Sequence, residues 1–231
     1  MKWKIWLWLL LAVCANGCSA NAKDVEAADI MAEKMLAAIG GRDAWAQVRN
    51  TINGSQQNRA GPPTEVYAVI TMDFEQPRFR IETTAPGLHL VRVIDGDRSW
   101  RQRRNGNIEN VPEDLFKDEL RWYASHLYRT IHRVAARDPL LSLAVNDQGR
   151  LEVYADGERI KWFQLDAASV PYRFGSFGDD VGTLCGPWDF VQDSIHHPTW
   201  VSSADGTWRA SVQALSVNVP LPDHVFARPD E

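Results

Sequence analysis

Two stretches of the chain repeat apolar residues at the three- and four-residue spacing of an amphipathic helix. The first covers residues 24–39 and ends at the stop signal Gly40-Gly41, after which Asp43 is placed to cap a short second helix. The other covers residues 112–137, where an apolar stripe steps by four or three residues without interruption. The pattern therefore predicts an N-terminal helix and one long helix in the middle of the chain.

Most of the remaining sequence alternates apolar and polar residues, which is typical of β-strands. Short turns such as Asp95-Gly96 and Asp156-Gly157 join consecutive strands, so these strands must pair as antiparallel neighbours. In the last strand the apolar positions change phase between Val212 and Leu215, which predicts a β-bulge or a bend. The predicted strands cover residues 51–54, 66–74, 79–83, 88–94, 99–103, 151–155, 159–167, 172–177, 188–195, 199–203 and 208–219.

The order of these elements predicts an α+β fold. About ten short strands would form a curved antiparallel sheet, an unclosed half-barrel, wrapped around the long helix and the N-terminal helix. No Gly/Ser/Pro-rich linker interrupts residues 23–231, so we expect a single domain. Pro220 and Pro222 end the last strand, and we expect Phe226 to pack against the body of the domain.

The first 22 residues have the layout of a secretory signal peptide. A basic start with Lys2 and Lys4 precedes a nine-residue apolar run, which small and polar residues follow. The run is far shorter than the roughly 20 residues that a membrane-spanning helix needs. Two processing sites stay open: lipoprotein-type cleavage before Cys18, whose thiol would be lipidated, or ordinary cleavage after Ala22. In either case we expect the chain to be exported.

Composition narrows the classes of function. The full chain has a net charge of −5, and removal of residues 1–17 leaves 23 basic and 30 acidic residues, which argues against nucleic-acid binding. Cys185 is the one cysteine inside the predicted domain, and its apolar neighbours favour a small buried residue over a nucleophile. Seven of the ten tryptophans fall in the domain, where they fit either a wide aromatic-lined interior or an ordinary core with a few rim residues.

The histidines give only weak indications of catalysis or metal binding. His126 and His132 are six residues apart, whereas two metal ligands on one helix face are four apart. The adjacent His196 and His197 would point to opposite faces of an extended segment. Together with Asp193 they leave a metal-dependent hydrolase as a less favoured alternative. We therefore predict a non-enzymatic protein without catalytic residues, cofactor or metal.

Three segments resemble proteins of the LolA/LolB-like superfamily, which sorts lipoproteins to the outer membrane. They are residues 35–45, MLAAIGGRDAW; residues 188–193, WDFVQD, with HPTW following at 197–200; and residues 217–226, VNVPLPDHVF. Together they bracket most of the predicted domain. The resemblance implies an unclosed barrel around helices, with a hydrophobic cavity that can take acyl chains.

From this resemblance we expect an envelope protein of a Gram-negative-type bacterium, either an outer-membrane lipoprotein facing the periplasm or a soluble periplasmic protein. Its expected partner is a lipid or a lipoprotein acyl chain; the lipid on Cys18 would attach it to the membrane, and we expect a monomer. The alternative is an envelope protein-interaction module without lipid cargo. The candidate cavity residues are Trp100, Phe116, Leu120, Tyr123, Leu127, Ile131, Trp162, Trp188 and Trp208.

Overall fold

The protein structure is a computed structural model that describes residues 22–59, 65–191 and 194–229. The predicted signal peptide, including Cys18, lies outside the described residues apart from Ala22. Within the described part, the strands are β1 (Asn50–Arg59), β2 (Val66–Asp73), β3 (Arg78–Ala85), β4 (Leu88–Asp95), β5 (Arg98–Gln102), β6 (Ile108–Asn110), β7 (Leu141–Val145), β8 (Leu151–Ala155), β9 (Glu158–Leu165), β10 (Pro171–Ser176), β11 (Thr183–Cys185), β12 (Trp188–Phe190), β13 (His196–Pro198), β14 (Trp200–Ser203) and β15 (Trp208–Val217).

Thirteen of these strands form one curved antiparallel sheet that does not close into a barrel. Its order is β6-β5-β4-β3-β2-β1-β15-β14-β11-β10-β9-β8-β7, so β6 and β7 are its edges, while β12 and β13 form a separate two-stranded sheet. The predicted α+β class with an unclosed sheet is confirmed. The described strands outnumber the predicted ones because β6, β7, β11 and β13 fall in segments where we predicted no strand.

The helices differ from the prediction in the middle of the chain. They are α1 (Ala22–Ala38), α2 (Arg42–Ala46), α3 (Glu113–Ala124) and α4 (Leu127–Ala135). The single helix predicted over residues 112–137 is wrong, because the backbone leaves the helical conformation at Ser125 and His126. Ser125 Oγ donates a hydrogen bond to the carbonyl of Trp122 at 3.3 Å, and such local bonds compete with helix continuation. Across the described residues, we find no helix with both the length and the apolar character to cross a membrane.

Two local predictions about the strands are confirmed. The register between β1 and β15 shifts so that Gln213 has no partner on β1, which places a bulge between Val212 and Leu215. The two-residue loop Asp156-Gly157 joins β8 to β9 with positive φ values of 51° and 78°. Positive φ at both positions matches the twist of a tight hairpin.

The corner between α1 and α2 packs closely against the β12–β13 hairpin. The capping role predicted for Asp43 is wrong, since this residue lies inside the first turn of α2 and no side chain caps the helix. Gly40 has a φ of 125°, and a β-carbon there would collide with the carbonyl group of Ser194. The backbone N–H of His196 donates to the carbonyl of Ile39 at 3.1 Å. The corner therefore fixes the hairpin against the N-terminal helix.

The main hydrophobic core lies between the helices and the sheet. Its fully buried side chains include Leu36, Trp45, Met72, Phe79, Ile131 and Phe163. A second, smaller cluster forms where the C-terminal tail returns to β4 and β5. There Phe226 is fully buried against Val91, Val93 and Trp100, which confirms that the tail packs on the body of the domain.

Candidate ligand-binding site

A cavity of about 280 Å³ lies between the α3–α4 junction and the sheet. We call it the central cavity. Its strand-borne lining comes from β2, β1, β15, β14, β11, β10 and β9, which are consecutive in the sheet. Four strands, β6 to β3, lie outside this group on one side, and two strands, β8 and β7, lie outside it on the other. The broken helix thus sits over the middle of the sheet and leaves space beneath its break.

The lining of the central cavity combines apolar and polar side chains. The apolar ones are Ile70, Trp122, Leu127, Phe174, Val201, Trp208, Ala210 and Val212. The polar ones are Asn53, Ser55, Gln57, Ser125, His126, Tyr128, Lys161, Ser176 and Thr183. No aspartate or glutamate occurs among these lining residues, so Lys161 faces the cavity without a carboxylate on its walls. Such a mixture is typical of sites that bind a hydrophobic molecule and fix its orientation with a few polar groups.

Lys161 is the most unusual member of the lining because its side chain is only 2 % exposed. Its Nζ donates a hydrogen bond to Ser176 Oγ at 2.6 Å and lies 4.9 Å from the centre of the Phe174 ring. Burial removes the ammonium ion from water and lowers the pKa of Lys161 to about 7, although the nearby Cys185 and Asp179 oppose this shift. The neutral amine is therefore far more populated at neutral pH than in an exposed lysine.

Cys185 and Tyr128 are neutral groups beside this lysine. Burial raises the pKa of the Cys185 thiol to about 12, and the positive charge of the nearby Lys161 opposes only part of this rise. Burial likewise raises the pKa of the Tyr128 phenol. A thiol that stays protonated is a poor nucleophile. The expectation that Cys185 is buried is confirmed.

His126 occupies the junction between α3 and α4. Its ring lies edge-on to Trp122 and Tyr128, with ring centres 5.0 Å and 5.5 Å away. Burial lowers the pKa of His126 to about 3, so the imidazole is neutral. Its Nδ1 and the Oδ1 atom of Asn53 are both buried without a hydrogen-bond partner among the described residues. Buried polar atoms normally find partners, so these two mark the cavity wall as a place for a polar contact.

The nine cavity candidates from the sequence divide into four groups. Leu127 and Trp208 line the central cavity. Phe116, Leu120, Tyr123, Ile131 and Trp188 belong to the main core or pack against it. Trp100 lies in the smaller cluster, where its Nε1 donates to the carbonyl of Phe226 at 3.0 Å. Trp162 is fully buried, with the guanidinium of Arg150 3.9 Å from its ring centre. Whether any of them contacts a ligand stays a prediction.

Sequence reasoning missed the polar part of the cavity, above all Lys161. One signal was present: a lysine interrupts the apolar run Ile160-Lys161-Trp162-Phe163. A charged residue inside such a run is rarely fully buried unless it has a partner. Asn53, Ser176 and Tyr128 carried no comparable signal, because polar residues on strands and helix ends are ordinary surface features.

The histidine pair of the hydrolase alternative lies on β13, away from the lining of the central cavity. His197 is opposite Asp189 in the register of the β12–β13 sheet, and burial lowers the pKa of His197. Asp193, the third residue of that alternative, lies outside the described residues. Within the described ranges, no group of three or more His, Cys, Asp or Glu side chains is arranged to hold a metal ion.

A larger depression of about 1130 Å³ lies between α1, the end of α4 and β7. Five of its six charged lining residues pair with one another. Arg42 forms an ion pair with Glu33 at 2.7 Å and donates hydrogen bonds to the carbonyls of Val134 and Ala135. Arg133 pairs with Asp138 at 2.7 Å in the same region. These contacts tie α1 and α4 together, and we therefore place the candidate site in the smaller central cavity.

Comparison with known proteins supports the fold and leaves the family open. No family model matches the chain, and no curated protein matches it. A DUF1329 family protein from Desulfovibrio piger superposes with a TM-score of 0.51 and 12% identity, over 90% of this chain and 98% of that protein. MucB aligns over 90% of this chain and 64% of its own at 11% identity, but its TM-score of 0.27 carries no weight. The chain therefore has a LolA-like fold, as the resemblance of its sequence implied.

Proposed function

We propose that the protein is a non-enzymatic envelope protein that binds a hydrophobic ligand, a lipid or an acyl chain, in the central cavity. The observation that carries this proposal is the cavity itself, which lies under a helix break and is lined by seven neighbouring strands, four of which contribute apolar side chains. Its volume of about 280 Å³ is near the lower end of ligand sites, which span roughly 300–1,000 Å³. This size favours a single chain over a whole diacyl lipid.

The physical driving force for such binding is the burial of methylene groups. Each methylene that leaves water contributes about 0.8 kcal/mol, so a chain of several carbons offsets the cost of association. Trp122, Phe174 and Trp208 supply broad aromatic surfaces for contact with the chain. The LolA-like fold is consistent with a role in the cell envelope, and the signal-like N-terminus of the sequence supports export.

A displacement experiment tests the ligand site. Protein isolated from cells that express the full-length chain should bind a fluorescent fatty acid, and an unlabelled fatty acid should displace this dye. Native mass spectrometry should show copurified lipid. Val212→Phe reduces the cavity volume and should weaken dye binding, whereas Ala214→Phe, on an exposed position of the same strand, should leave it unchanged. Wild-type protein that carries no lipid and binds no dye contradicts the proposal and favours the protein-interaction alternative.

Membrane attachment through Cys18 is a separate part of the proposal. A lipid on this thiol would hold the domain close to the membrane surface, because only a few residues separate Cys18 from the described start of α1 at Ala22. Cys18→Ala should release the protein from the membrane fraction in cell fractionation. Unchanged partitioning contradicts the tether and leaves cleavage near Ala22 or another mode of attachment.

A further inference from the structure

The starting observation is that Lys161 has fewer partners than its chemistry requires. A lysine ammonium has three hydrogen-bond donors, and within the described part of the chain its one acceptor is the neutral hydroxyl of Ser176 at 2.6 Å. No carboxylate lines the central cavity, and none forms an ion pair with Lys161 among the described residues. At 2 % exposure, water on the protein surface cannot replace the missing partners.

Such a lysine has two low-energy states. It is either a neutral amine, or an ammonium ion that pairs with an anion, because an isolated buried charge is strongly unfavourable. The free protein populates the first state to a large extent, since the pKa of Lys161 falls to about 7. An anion that enters the cavity would favour the second state.

We propose that the ligand of the central cavity is a single-chain amphiphile with a carboxylate head, of the fatty-acid class, and that Lys161 and Ser176 bind this carboxylate. This inference rests on the proposed function, because it specifies the head group of the hydrophobic ligand. The carboxylate accepts a hydrogen bond from Lys161 Nζ, and Ser176 Oγ is then free to donate a second one. The chain extends over the apolar wall formed by Phe174, Val201 and Trp208.

The charge of the site favours a carboxylate over a phosphate. The lining contains one cationic residue and no arginine, whereas a phosphate with a charge near −2 is usually bound by several cations or by the guanidinium fork of arginine. A monoanion neutralises Lys161 without leaving excess charge in the interior. His126 and Asn53, whose buried Nδ1 and Oδ1 atoms have no partner in the described ranges, offer further neutral polar contacts.

The same arrangement implies that ligand binding takes up a proton. The groups that face or surround Lys161 are Ser176 on β10, Asp179 in the loop between β10 and β11, Cys185 on β11, and His126 and Tyr128 at the helix junction. The pKa of Cys185 rises to about 12 and that of His126 falls to about 3, so both stay neutral from about pH 6 to about pH 9. Above pH about 7 the affinity for a carboxylate should therefore fall by up to about tenfold per pH unit, the limit for one proton.

Calorimetric titration with three probes of equal chain length tests the proposal: decanoate, decanol and decyl phosphate. The protein is the chain isolated from cells that express the full-length sequence, after removal of bound lipid. We compare the wild type with Lys161→Met and with Lys117→Met, a matched control on an exposed residue of α3. Near pH 6, about one unit below the pKa of Lys161, the wild type should bind decanoate at least about tenfold more tightly than decanol.

The variants and the pH series should then separate the head group from the chain. Lys161→Met should lose the preference for decanoate and still bind decanol, while Lys117→Met should match the wild type. Decanoate affinity should fall above pH about 7, and decanol affinity should not. Circular dichroism of each variant confirms that it is folded.

Each outcome bears on one of the two proposals. Equal affinity of the wild type for decanoate and decanol overturns the carboxylate site and leaves hydrophobic binding standing. Tighter binding of decyl phosphate than of decanoate also overturns it. No binding of any probe contradicts the proposed function itself. Retained preference for decanoate in Lys161→Met shows that another group binds the head.

Discussion

Glu119 and Lys161 are equally buried and oppositely charged, but their surroundings differ. Glu119, on α3, is 1 % exposed and accepts hydrogen bonds from Arg92 at 3.0 Å and from Ser99 at 2.6 Å. Lys161, on β9, is 2 % exposed, and among the residues that the structure describes its one hydrogen-bond partner is the neutral hydroxyl of Ser176. A buried charge with matched partners is a structural feature, whereas one without them is available for a ligand. The contrast separates a buried charge that holds α3 against β4 and β5 from one that is left for the proposed ligand.

The largest expected effect is the removal of the lysine. Lys161→Met should raise the free energy of unfolding at pH about 7 by about 3 kcal/mol, since a pKa lowered from 10.5 to about 7 reflects a large cost of burying the charge, which the lost hydrogen bond offsets in part. Chemical denaturation of the lipid-free protein measures this change. Lys117→Met, at an exposed position, should stay within about 0.5 kcal/mol of the wild type. A clear loss of stability in Lys161→Met would mean that the ammonium is well satisfied in the free protein.

Removal of the buried glutamate should have the opposite sign. Glu119→Ala should lower the free energy of unfolding by about 2 kcal/mol, because Ser99 and Arg92 lose a charged acceptor in a buried position. The matched control is Glu113→Ala on the same helix, where an exposed ion pair with Lys117 contributes at most about 0.5 kcal/mol. The comparison fails if the two glutamate variants have equal stability.

The pH dependence of stability sharpens the contrast for Lys161. Because its pKa is lower in the folded than in the unfolded state, the unfolded chain binds more protons between pH about 7 and 10.5, and stability rises with pH there. The raised pKa of Cys185 acts in the opposite direction above pH 9.0, so the useful window is pH 7 to 9. In this window the free energy of unfolding should rise by up to about 1.4 kcal/mol per pH unit more in the wild type than in Lys161→Met. Parallel curves for the two proteins would contradict an unusual pKa at Lys161.

The smallest expected change in stability concerns Ser176, the hydrogen-bond partner of Lys161. Ser176→Ala should lower the free energy of unfolding by about 1 kcal/mol, the usual contribution of one hydrogen bond. In the Lys161→Met background the same change should be nearly neutral, so a double-mutant cycle should give a coupling of about 1 kcal/mol. Additive effects would show that the two side chains do not depend on each other.

The sequence predicted the features that depend on local periodicity. The N-terminal helix, the Asp156-Gly157 hairpin and the bulge near Gln213 follow from spacing and turn residues alone. The helix break was not predictable in this way, because Tyr123, Leu127 and Ile131 keep the four-residue step across it. Only the packed structure shows that the backbone departs from the helix at this point.

Lys161 was missed for a related reason. In a regular strand, Arg159 and Lys161 would face the same side, and both read as exposed positions. A register shift between β8 and β9 leaves Ile160 without a partner on β8, so the inward and outward alternation of side chains changes between Arg159 and Lys161. Arg159 then forms ion pairs with Glu152 and Asp180, at 3.0 Å and 2.5 Å, while Lys161 lines the central cavity. The extra residue in β9 thus determines which of the two cationic side chains, Arg159 or Lys161, lines the central cavity.

The open edges of the sheet affect what determines the width of the central cavity. In a closed barrel, the number of strands and their stagger set the internal diameter. Here the sheet ends at β6 and β7, and every strand that lines the cavity is an interior strand with a neighbour on both sides. Edge strands can therefore lengthen, shorten or pair with another chain without a change in the circumference around the central cavity. The width of the cavity is set instead by the side chains and bulges at the centre of the sheet.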